Sequence, residues 1–188
     1  QQLAFAPIAF QVAKVLRDTG ILRAVEEYRG QGVTIADLAE KLQISNYGIT
    51  VLLEGGLGIG LVRLKEDRWS LTKTGNFILN DRMTRINMDF VHDVCYEGSF
   101  KLDEAIEKGP PAGLKVFGEW KTVYEGLSKL PNPVQKSWFE FDHFYSDGAF
   151  PDVLPIVFKN KPKTLLDVGG NTGKWSLQCL QYDQDVKI

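Results

Sequence analysis

The sequence predicts a mainly helical protein that opens with a winged helix-turn-helix domain and ends in the first β-α unit of a Rossmann-like α/β domain. Helical apolar spacing runs through residues 3–53, and two short strand-like segments follow at 61–71. Residues 164–168 form a largely apolar segment, Thr-Leu-Leu-Asp-Val, that carries an acid near its end and leads into a glycine-rich turn. Strand, tight turn and helix in this order open a doubly wound parallel sheet.

The first three helices are predicted from apolar spacing and from their ends. Apolar residues recur every four positions from Ile8 to Leu16, which is typical of an amphipathic helix, and Gly20 closes it. A short helix follows at 21–28. The capping-box pattern Thr34–Asp37 then opens a third helix, because its side chains satisfy the free amides of the first turn.

A fourth helix and a hairpin complete the predicted winged domain, at roughly residues 10–80. Ser45 caps the helix, and we expect it to end near Leu53, because each internal glycine of the run that follows costs a helix about 1 kcal/mol relative to alanine. Strands at 61–64 and 68–71 flank a charged turn, which is the pattern of a β-hairpin.

Residues 83–158 are predicted to be mostly helical. Breaks are expected where glycine and proline cluster, at Gly109-Pro110-Pro111, Pro131-Asn132-Pro133 and Gly148–Pro151. A helix is predicted again over Trp175–Leu180, and residues 183–188 are predicted to approach a second strand.

Composition and charge exclude several classes of function. With 44% hydrophobic and 24% charged residues, the chain can bury a core and is not a disordered segment. A formal charge of −2 argues against a protein that grips nucleic acid or an anionic membrane. No apolar stretch approaches the ~20 residues that span a bilayer, and the start lacks a basic signal-peptide region, so a cytoplasmic location is expected. Cys95 and Cys179 fit neither a metal site nor a disulfide framework.

The turn Asp167–Gly173 is the candidate ligand site. In open parallel sheets ligands bind beyond the carboxyl ends of the strands, and glycines there let the backbone approach a ligand closely. A phosphate loop would need Lys-Ser/Thr after its last glycine, but Lys174 is followed by Trp175. A dinucleotide fingerprint that starts at Gly169 would meet Asn171 at its second glycine, so this reading fails too. The remaining pattern is an acid followed by Gly-x-Asn-x-Gly.

This pattern resembles the first motif of class I S-adenosylmethionine-dependent methyltransferases, with Asn171 in place of the usual middle glycine. Asn is the side chain that best tolerates positive φ. Upstream segments resemble the helical stretch of the dimeric O-methyltransferases of plant phenolic and bacterial polyketide type. These segments are Gly98-Ser99-Phe100, Leu102, Ala105-Ile106, Gly109-x-Pro111-Ala112, Phe117-Gly118 and Phe141–Asp147.

The resemblance implies the domains and the site. Residues 1–95 would be a winged-helix dimerisation domain, 96–160 a helical connecting and acceptor-pocket region, and 161–188 the start of an incomplete Rossmann-like cofactor domain. S-adenosyl-L-methionine would be the cofactor. Its methionine portion would be bound by Asp167, Gly169, Gly170, Asn171 and Gly173, with Ser146 near its carboxylate.

The resemblance also implies that this chain is an N-terminal portion without the catalytic part. The acid that binds the ribose would follow the second strand, and the general-base histidine would lie much further on. His92 and His143 come too early to match that base, so a structural or surface role is expected for both, and no catalytic residue is assigned. The expected full-length activity is methyl transfer to a hydroxyl of a small, aromatic acceptor. The alternative is a winged-helix dimerisation or regulator module with a vestigial methyltransferase-like part.

The winged domain is expected to bind a second copy of the chain rather than DNA. The second helix of its helix-turn-helix, from Asn46 to Gly58, contains no lysine or arginine, and residues 34–80 hold as many acidic as basic side chains. Phosphate contact demands a positive excess. Phe5, Ile8, Phe10 and Val12 spread over more faces of the first helix than one small domain buries, which indicates a homodimer through the N-terminal helices.

Overall fold

The computed structural model describes all residues from Gln1 to Ile188. The chain divides into two compact units, Gln1–Met88 and Asp89–Ile188. Most of the regular structure is helical, and the strands form one two-stranded sheet. None of the helices is both long enough and apolar enough to cross a bilayer.

The first unit holds the N-terminal helices and the hairpin. Its helices are α1 (Gln2–Asp18), α2 (Ile21–Glu27), α3 (Ile35–Leu42), α4 (Asn46–Gly58), α5 (Lys73–Asn80) and most of α6 (Arg82–Phe90), whose last two residues belong to the second unit. Strands β1 (Val62–Lys65) and β2 (Arg68–Leu71) pair antiparallel, with Val62 opposite Leu71. The turn between the strands places both Glu66 and Asp67 at positive φ, which matches the twist of a tight hairpin.

Local caps define the helix starts that the sequence predicted. The Thr34 side chain accepts a hydrogen bond from the Asp37 amide while the Asp37 carboxylate accepts one from the Thr34 amide, so the capping box is confirmed. Ser45 accepts from the Gly48 amide at 3.1 Å and starts α4. Gly20 adopts φ 80° after α1, as its predicted role at the helix end requires.

The predicted end of α4 near Leu53 is wrong, because the helix continues to Gly58. A Cβ at Gly55 would lie 3.0 Å from the Val12 side chain, and one at Gly56 would lie 2.8 Å from that of Leu16. These glycines therefore allow α1 and α4 to pack closely. The packing of these helices outweighs the low helix propensity of the glycines.

The core of the first unit contains fully buried side chains from α1 to α4 and the hairpin. Its largest members are Leu16, Ile21, Leu22, Leu38, Ile49, Leu53 and Val62. A polar cluster borders this core. The nearly buried carboxylate of Glu26 accepts hydrogen bonds from Asn80 at 2.9 Å and Asn76 at 3.3 Å, and it pairs with Arg23 and Arg29. These contacts join α2 to α5.

The second unit is built from helices and short helical turns. Its α-helices are α7 (Leu102–Lys108), α8 (Asn132–Ser146), α9 (Phe150–Val157) and α10 (Lys174–Tyr182). Val91–Cys95 forms a π-helical turn, and several 3-10 turns lie between α7 and α8. The predicted breaks are borne out at Gly109, where α7 has ended, and at Pro131, which precedes α8. Gly148 lies in a 3-10 turn between α8 and α9.

The strand predicted at residues 164–168 is not formed. Thr164 makes an isolated parallel bridge with Lys187, and Leu165 donates its amide to the Lys187 carbonyl at 2.8 Å. Leu166 and Val168 are 88% and 84% exposed. A parallel strand needs partners at its edges and cover on both faces, and the segment around Lys187 is its one neighbour within these residues.

A small core nevertheless fixes the ends of this segment. Leu154, Phe158, Cys179 and Val186 are buried together, and Leu165 and Trp175 pack against them. Both the start of the segment, at Leu165, and α10, the helix that follows the turn, therefore pack against α9. Burial and the nearby Asp167 raise the pKa of the Cys179 thiol, so it stays protonated and serves as a small apolar side chain.

Candidate functional site

The turn from Asp167 to Gly173 has the backbone conformation that its sequence calls for. Gly169 and Gly173 adopt φ 74°, and Asn171 adopts φ 49°. All three values lie in the left-handed region, where glycine is free of strain and Asn is the best tolerated side chain. The Gly173 amide donates to the Gly170 carbonyl at 2.6 Å and closes the turn just before α10.

Asp167 lies against the inner side of this turn. Its Oδ2 accepts a hydrogen bond from Ser176 Oγ on α10 at 2.5 Å. A Cβ at Gly170 would come within 2.8 Å of the same carboxylate oxygen, so a side chain at this position would displace Asp167. At Gly169, in contrast, a Cβ would meet open space. The backbone at Gly169 is therefore open to close approach by a ligand.

Three side-chain contacts join α8 and the residue after it to the turn and the start of α10. Asn171 Nδ2 donates to Asp142 Oδ2 at 2.8 Å, and Thr172 Oγ1 lies 3.1 Å from His143 Nε2. Lys174 pairs with Asp147, which directly follows α8. Asn171 and Thr172 of the turn therefore have partners on α8, and Lys174 at the start of α10 has one just after it.

His143 links two of these contacts. Its Nδ1 lies 3.1 Å from Asp147 Oδ1. A carboxylate only accepts, so Nδ1 carries the proton in the neutral ring, and Nε2 is left to accept from the Thr172 hydroxyl. Partial burial acts to raise the pKa of Asp147, but its hydrogen bonds from Lys174 and His143 outweigh this effect and lower that pKa. Asp147 is therefore a fixed anion beside the turn.

A cavity of about 570 Å³ opens between the turn and α8. Among the residues predicted for the cofactor, Ser146, Asp167, Gly169, Gly170 and Asn171 line it, while Gly173 lies at the start of α10 and does not. Further lining residues that the sequence analysis did not assign are Tyr124, Leu127, Trp138, Asp142, His143, Phe150, Thr172, Lys174 and Trp175. The structure thus brings five of the six predicted residues to one cavity.

A signal for the missed polar residues was present in the sequence. Asp142 and Ser146 are four residues apart on α8, and so are His143 and Asp147 at its end. Residues at this spacing lie on one face of a helix. The helix had been singled out, but the sequence alone did not show that this face meets the turn.

Aromatic side chains pack near Trp138, which lines the cavity. Phe90 stacks on Phe141 with ring centroids 4.0 Å apart, and Trp138 lies 6.0 Å from Phe90. Trp138 also lines a second, mostly apolar cavity of about 330 Å³, together with Cys95 and Phe117. Desolvation by burial raises the pKa of the Cys95 thiol, so it is not an activated nucleophile.

No metal chemistry is indicated by the side chains, since no group of three or more His, Cys, Asp or Glu residues could hold an ion. Both histidines have carboxylate partners within their own unit. His92 Nδ1 lies 2.8 Å from Asp93, and His143 contacts Asp147 as described above.

Comparison with protein families identifies the N-terminal region. Residues 1–69 match the Dimerisation2-like domain. This domain accounts for α1 to α4 and the hairpin up to Trp69. No curated protein matches the chain.

Solved structures share the fold of the whole chain. The S-adenosylmethionine-dependent methyltransferase SibL in its apo form superposes with a TM-score of 0.66 at 19% identity, covering 98% of this chain and 55% of SibL. The mitomycin 7-O-methyltransferase MmcR superposes with a TM-score of 0.68 at 12% identity, covering 98% of this chain and 54% of MmcR. A third structure is NcsB1, an O-methyltransferase from neocarzinostatin biosynthesis in complex with S-adenosyl-L-homocysteine and 1,4-dihydroxy-2-naphthoic acid. It superposes with a TM-score of 0.61 at 23% identity, covering 96% of this chain and 54% of NcsB1.

These matches support the fold that the resemblance implied. Residues 1–69 match a Dimerisation2-like domain, and the chain has the fold of the corresponding part of the S-adenosylmethionine-dependent methyltransferase SibL and of MmcR. It spans about 55% of the length of SibL.

Proposed function

We propose that this chain provides the dimerisation domain and the methionine-binding half of the cofactor site of an S-adenosylmethionine-dependent O-methyltransferase. The observation that carries the proposal is the cavity formed by the turn and α8. It is lined by Gly169, whose backbone is open to close approach, by the Asp167 carboxylate and by the Ser146 hydroxyl. NcsB1 and SibL, which share the fold, are S-adenosylmethionine-dependent or S-adenosyl-L-homocysteine-bound methyltransferases.

The groups present fit the methionine end of this cofactor. A zwitterionic amino acid needs acceptors for its ammonium and donors for its carboxylate. Asp167, the carbonyls of the turn and the Ser146 oxygen, whose proton is donated to Asp147, supply acceptors, while the free amides at the start of α10 supply donors. When bound, the cofactor supplies a methyl group on a sulfonium for transfer to a hydroxyl. The residues of this chain hold and orient it, which is a large share of what a displacement reaction requires.

The acceptor is proposed to be a small aromatic molecule. The cavity beside the turn is lined by the aromatic rings of Tyr124, Trp138, Phe150 and Trp175, and Trp138 also packs near Phe90. Flat apolar ligands bind in pockets of this composition, with few polar groups to orient them.

The residues that bind the ribose and remove the proton of the acceptor are proposed to lie outside residues 1–188. Both histidines of this chain are already engaged with carboxylates. The chain matches about 55% of SibL, so a counterpart of the remaining part would supply these groups. We therefore expect residues 1–188 alone to have no methyltransferase activity.

We also propose that the Dimerisation2-like domain, which we interpret as a winged helix, forms a homodimer through α1. Leu3, Phe5 and Ile8 are 91%, 59% and 62% exposed, whereas Leu16 on the same helix is fully buried. The regulator alternative is not favoured. Helix α4 carries no basic side chain, and phosphate contact demands a positive excess.

The cofactor proposal is tested by titrating the ¹⁵N-labelled chain with S-adenosyl-L-homocysteine. We expect weak, millimolar binding, because only one end of the ligand is held, with amide shifts confined to residues 142–147 and 169–174. Gly169→Val should abolish these shifts, since the side chain would project into the open space over the turn.

Gly109→Val is the matched control. Gly109 also has a positive φ, 87°, and open space for a Cβ, but it lies after α7 and away from the cavity. Equal loss of binding in both variants would show a general folding effect. Absence of any shift at millimolar ligand in the unaltered chain would reject the proposed function.

A further inference from the structure

Asn171 is the one residue of the Gly-x-Asn-x-Gly turn that departs from the resembling motif, and it has a specific partner. It adopts φ 49°, and its Nδ2 donates to Asp142 Oδ2 at 2.8 Å across 29 positions of sequence. The Asp142 side chain makes no other hydrogen bond. The Asp142 side chain therefore bonds only to the middle of the turn, whereas its neighbour His143 also bonds to Asp147.

The other contacts between α8 and the turn are shared. His143 divides its hydrogen bonds between Thr172 and Asp147. Asp147 accepts from Ser146 and His143 and pairs with Lys174. Thr172 and Lys174 are therefore held by two groups, His143 and Asp147, that are also hydrogen-bonded to each other.

The main chain holds the middle of the turn weakly. The Gly173–Gly170 hydrogen bond closes its end, and the bonds to Lys187 hold residues 163–165 before its start. No sheet neighbour lies beside Leu166 and Val168, which are exposed. The order of residues 169–171 must therefore come from side-chain contacts to a neighbouring element.

We propose that Asp142 is a positioning residue that acts through Asn171 to hold the turn in its ligand-ready conformation. This inference rests on the proposed function, since the ligand in question is the methionine end of the cofactor. A conformation populated only part of the time weakens the apparent affinity by that fraction. Asp142 thereby contributes to affinity without needing to contact the ligand.

The test is a double-mutant cycle on the complete 188-residue chain. The variants are Asp142→Ala, Asn171→Gly and the double substitution, each measured in two ways. Amide hydrogen exchange of residues 169–173 without ligand reports the order of the turn. Titration with S-adenosyl-L-homocysteine reports affinity.

Asp142→Ala should raise the exchange rates of the turn and weaken binding about three- to tenfold, the range that loss of one hydrogen bond produces. Asp142→Asn should restore both properties to a large extent, because the amide oxygen still accepts from Asn171. In the Asn171→Gly background, Asp142→Ala should have no further effect. Glu107→Ala, which removes an exposed carboxylate on α7, is the control and should change neither property.

Two results would overturn the inference. One is unchanged exchange of the turn in Asp142→Ala. The other is an equal loss of affinity from Asp142→Ala in the Asn171→Gly background, which would mean that the carboxylate acts on the ligand directly. Failure of the unaltered chain to bind would reject the proposed function separately, because the exchange measurement needs no ligand.

Discussion

Substitution of Ile8 by Asp should dissociate the homodimer proposed through α1. Ile8 is 62% exposed and lies near the start of a helix whose other apolar residues, Phe10 and Val12, pack against the core of their own unit. Those two residues need no partner chain. The apolar surface that calls for one is formed by Leu3, Phe5 and Ile8.

The exposed fractions set the magnitude. Full burial of a large apolar side chain stabilises by about 1.5–3 kcal/mol, so the exposed parts of these three side chains are worth roughly 6–13 kcal/mol over two protomers. This is of the same order as the cost of association, about 4–15 kcal/mol, and each contribution therefore matters. Loss of Ile8 from both protomers removes roughly 2–4 kcal/mol, or about 30- to 1,000-fold in the dissociation constant. Burial of the new carboxylate adds to the loss.

Sedimentation velocity over a range of concentrations measures the effect. We expect the unaltered chain to be a dimer at micromolar concentration and Ile8→Asp to be a monomer there. Ile106→Asp is the matched control, because Ile106 is 78% exposed on α7, outside the Dimerisation2-like domain. A monomeric unaltered chain, or equal dissociation by Ile106→Asp, would refute the assignment of α1 to the interface.

Three other measurements probe the first unit. Burial acts to raise the pKa of Glu26, but its hydrogen bonds and ion pairs outweigh this effect and lower that pKa. The contribution of Glu26 to the free energy of unfolding is therefore fully present above about pH 4.5 and is lost as the pH falls below that value. Denaturant unfolding should therefore show Glu26→Gln about 1 kcal/mol less stable near neutral pH, with a gap that closes in acid; a constant gap would contradict this. Gly75→Ala should lose about 1–3 kcal/mol, because its Cβ would lie 2.1 Å from the Leu61 carbonyl oxygen, while Gly58→Ala, with open space around it, should not destabilise. Fluorescence anisotropy with duplex DNA should show only weak binding that modest salt abolishes, and tight, salt-resistant binding would overturn the interpretation of α4.

Features that depend on nearby residues could be predicted from the sequence. The caps at Thr34 and Ser45 and the hairpin turn involve groups within three or four positions of each other, and all are present. The end of α4 could not be predicted, because it depends on the approach of Val12 and Leu16 from a different helix. Propensity alone has no information about that contact.

In the candidate site, too, the local features could be predicted from the sequence and the contacts between distant segments could not. Positive φ at Gly169, Asn171 and Gly173 follows from the local pattern of residues, and the structure has all three. The strand before the turn was predicted from its apolar residues but is absent, because strand formation needs a partner along most of its length. The contacts from Asp142 and His143 were missed because they join segments 29 residues apart.

Asn171 shows how the structure changes an expectation about a single position. From the motif alone, Asn171→Gly should be tolerated or should improve cofactor binding, because glycine relieves the strain of a positive φ, which is worth at most about 1–2 kcal/mol and less for Asn. Two effects oppose this gain. The glycine raises the conformational entropy of the unfolded turn by about 0.4–1 kcal/mol, and the hydrogen bond to Asp142, worth about 0.5–1.5 kcal/mol, is lost. The losses together, about 0.9–2.5 kcal/mol, offset a gain that for Asn is smaller than about 1–2 kcal/mol, so the substitution should leave the turn no better ordered than before. Amide exchange that becomes slower in Asn171→Gly would show that backbone strain, and not the contact with α8, governs this turn.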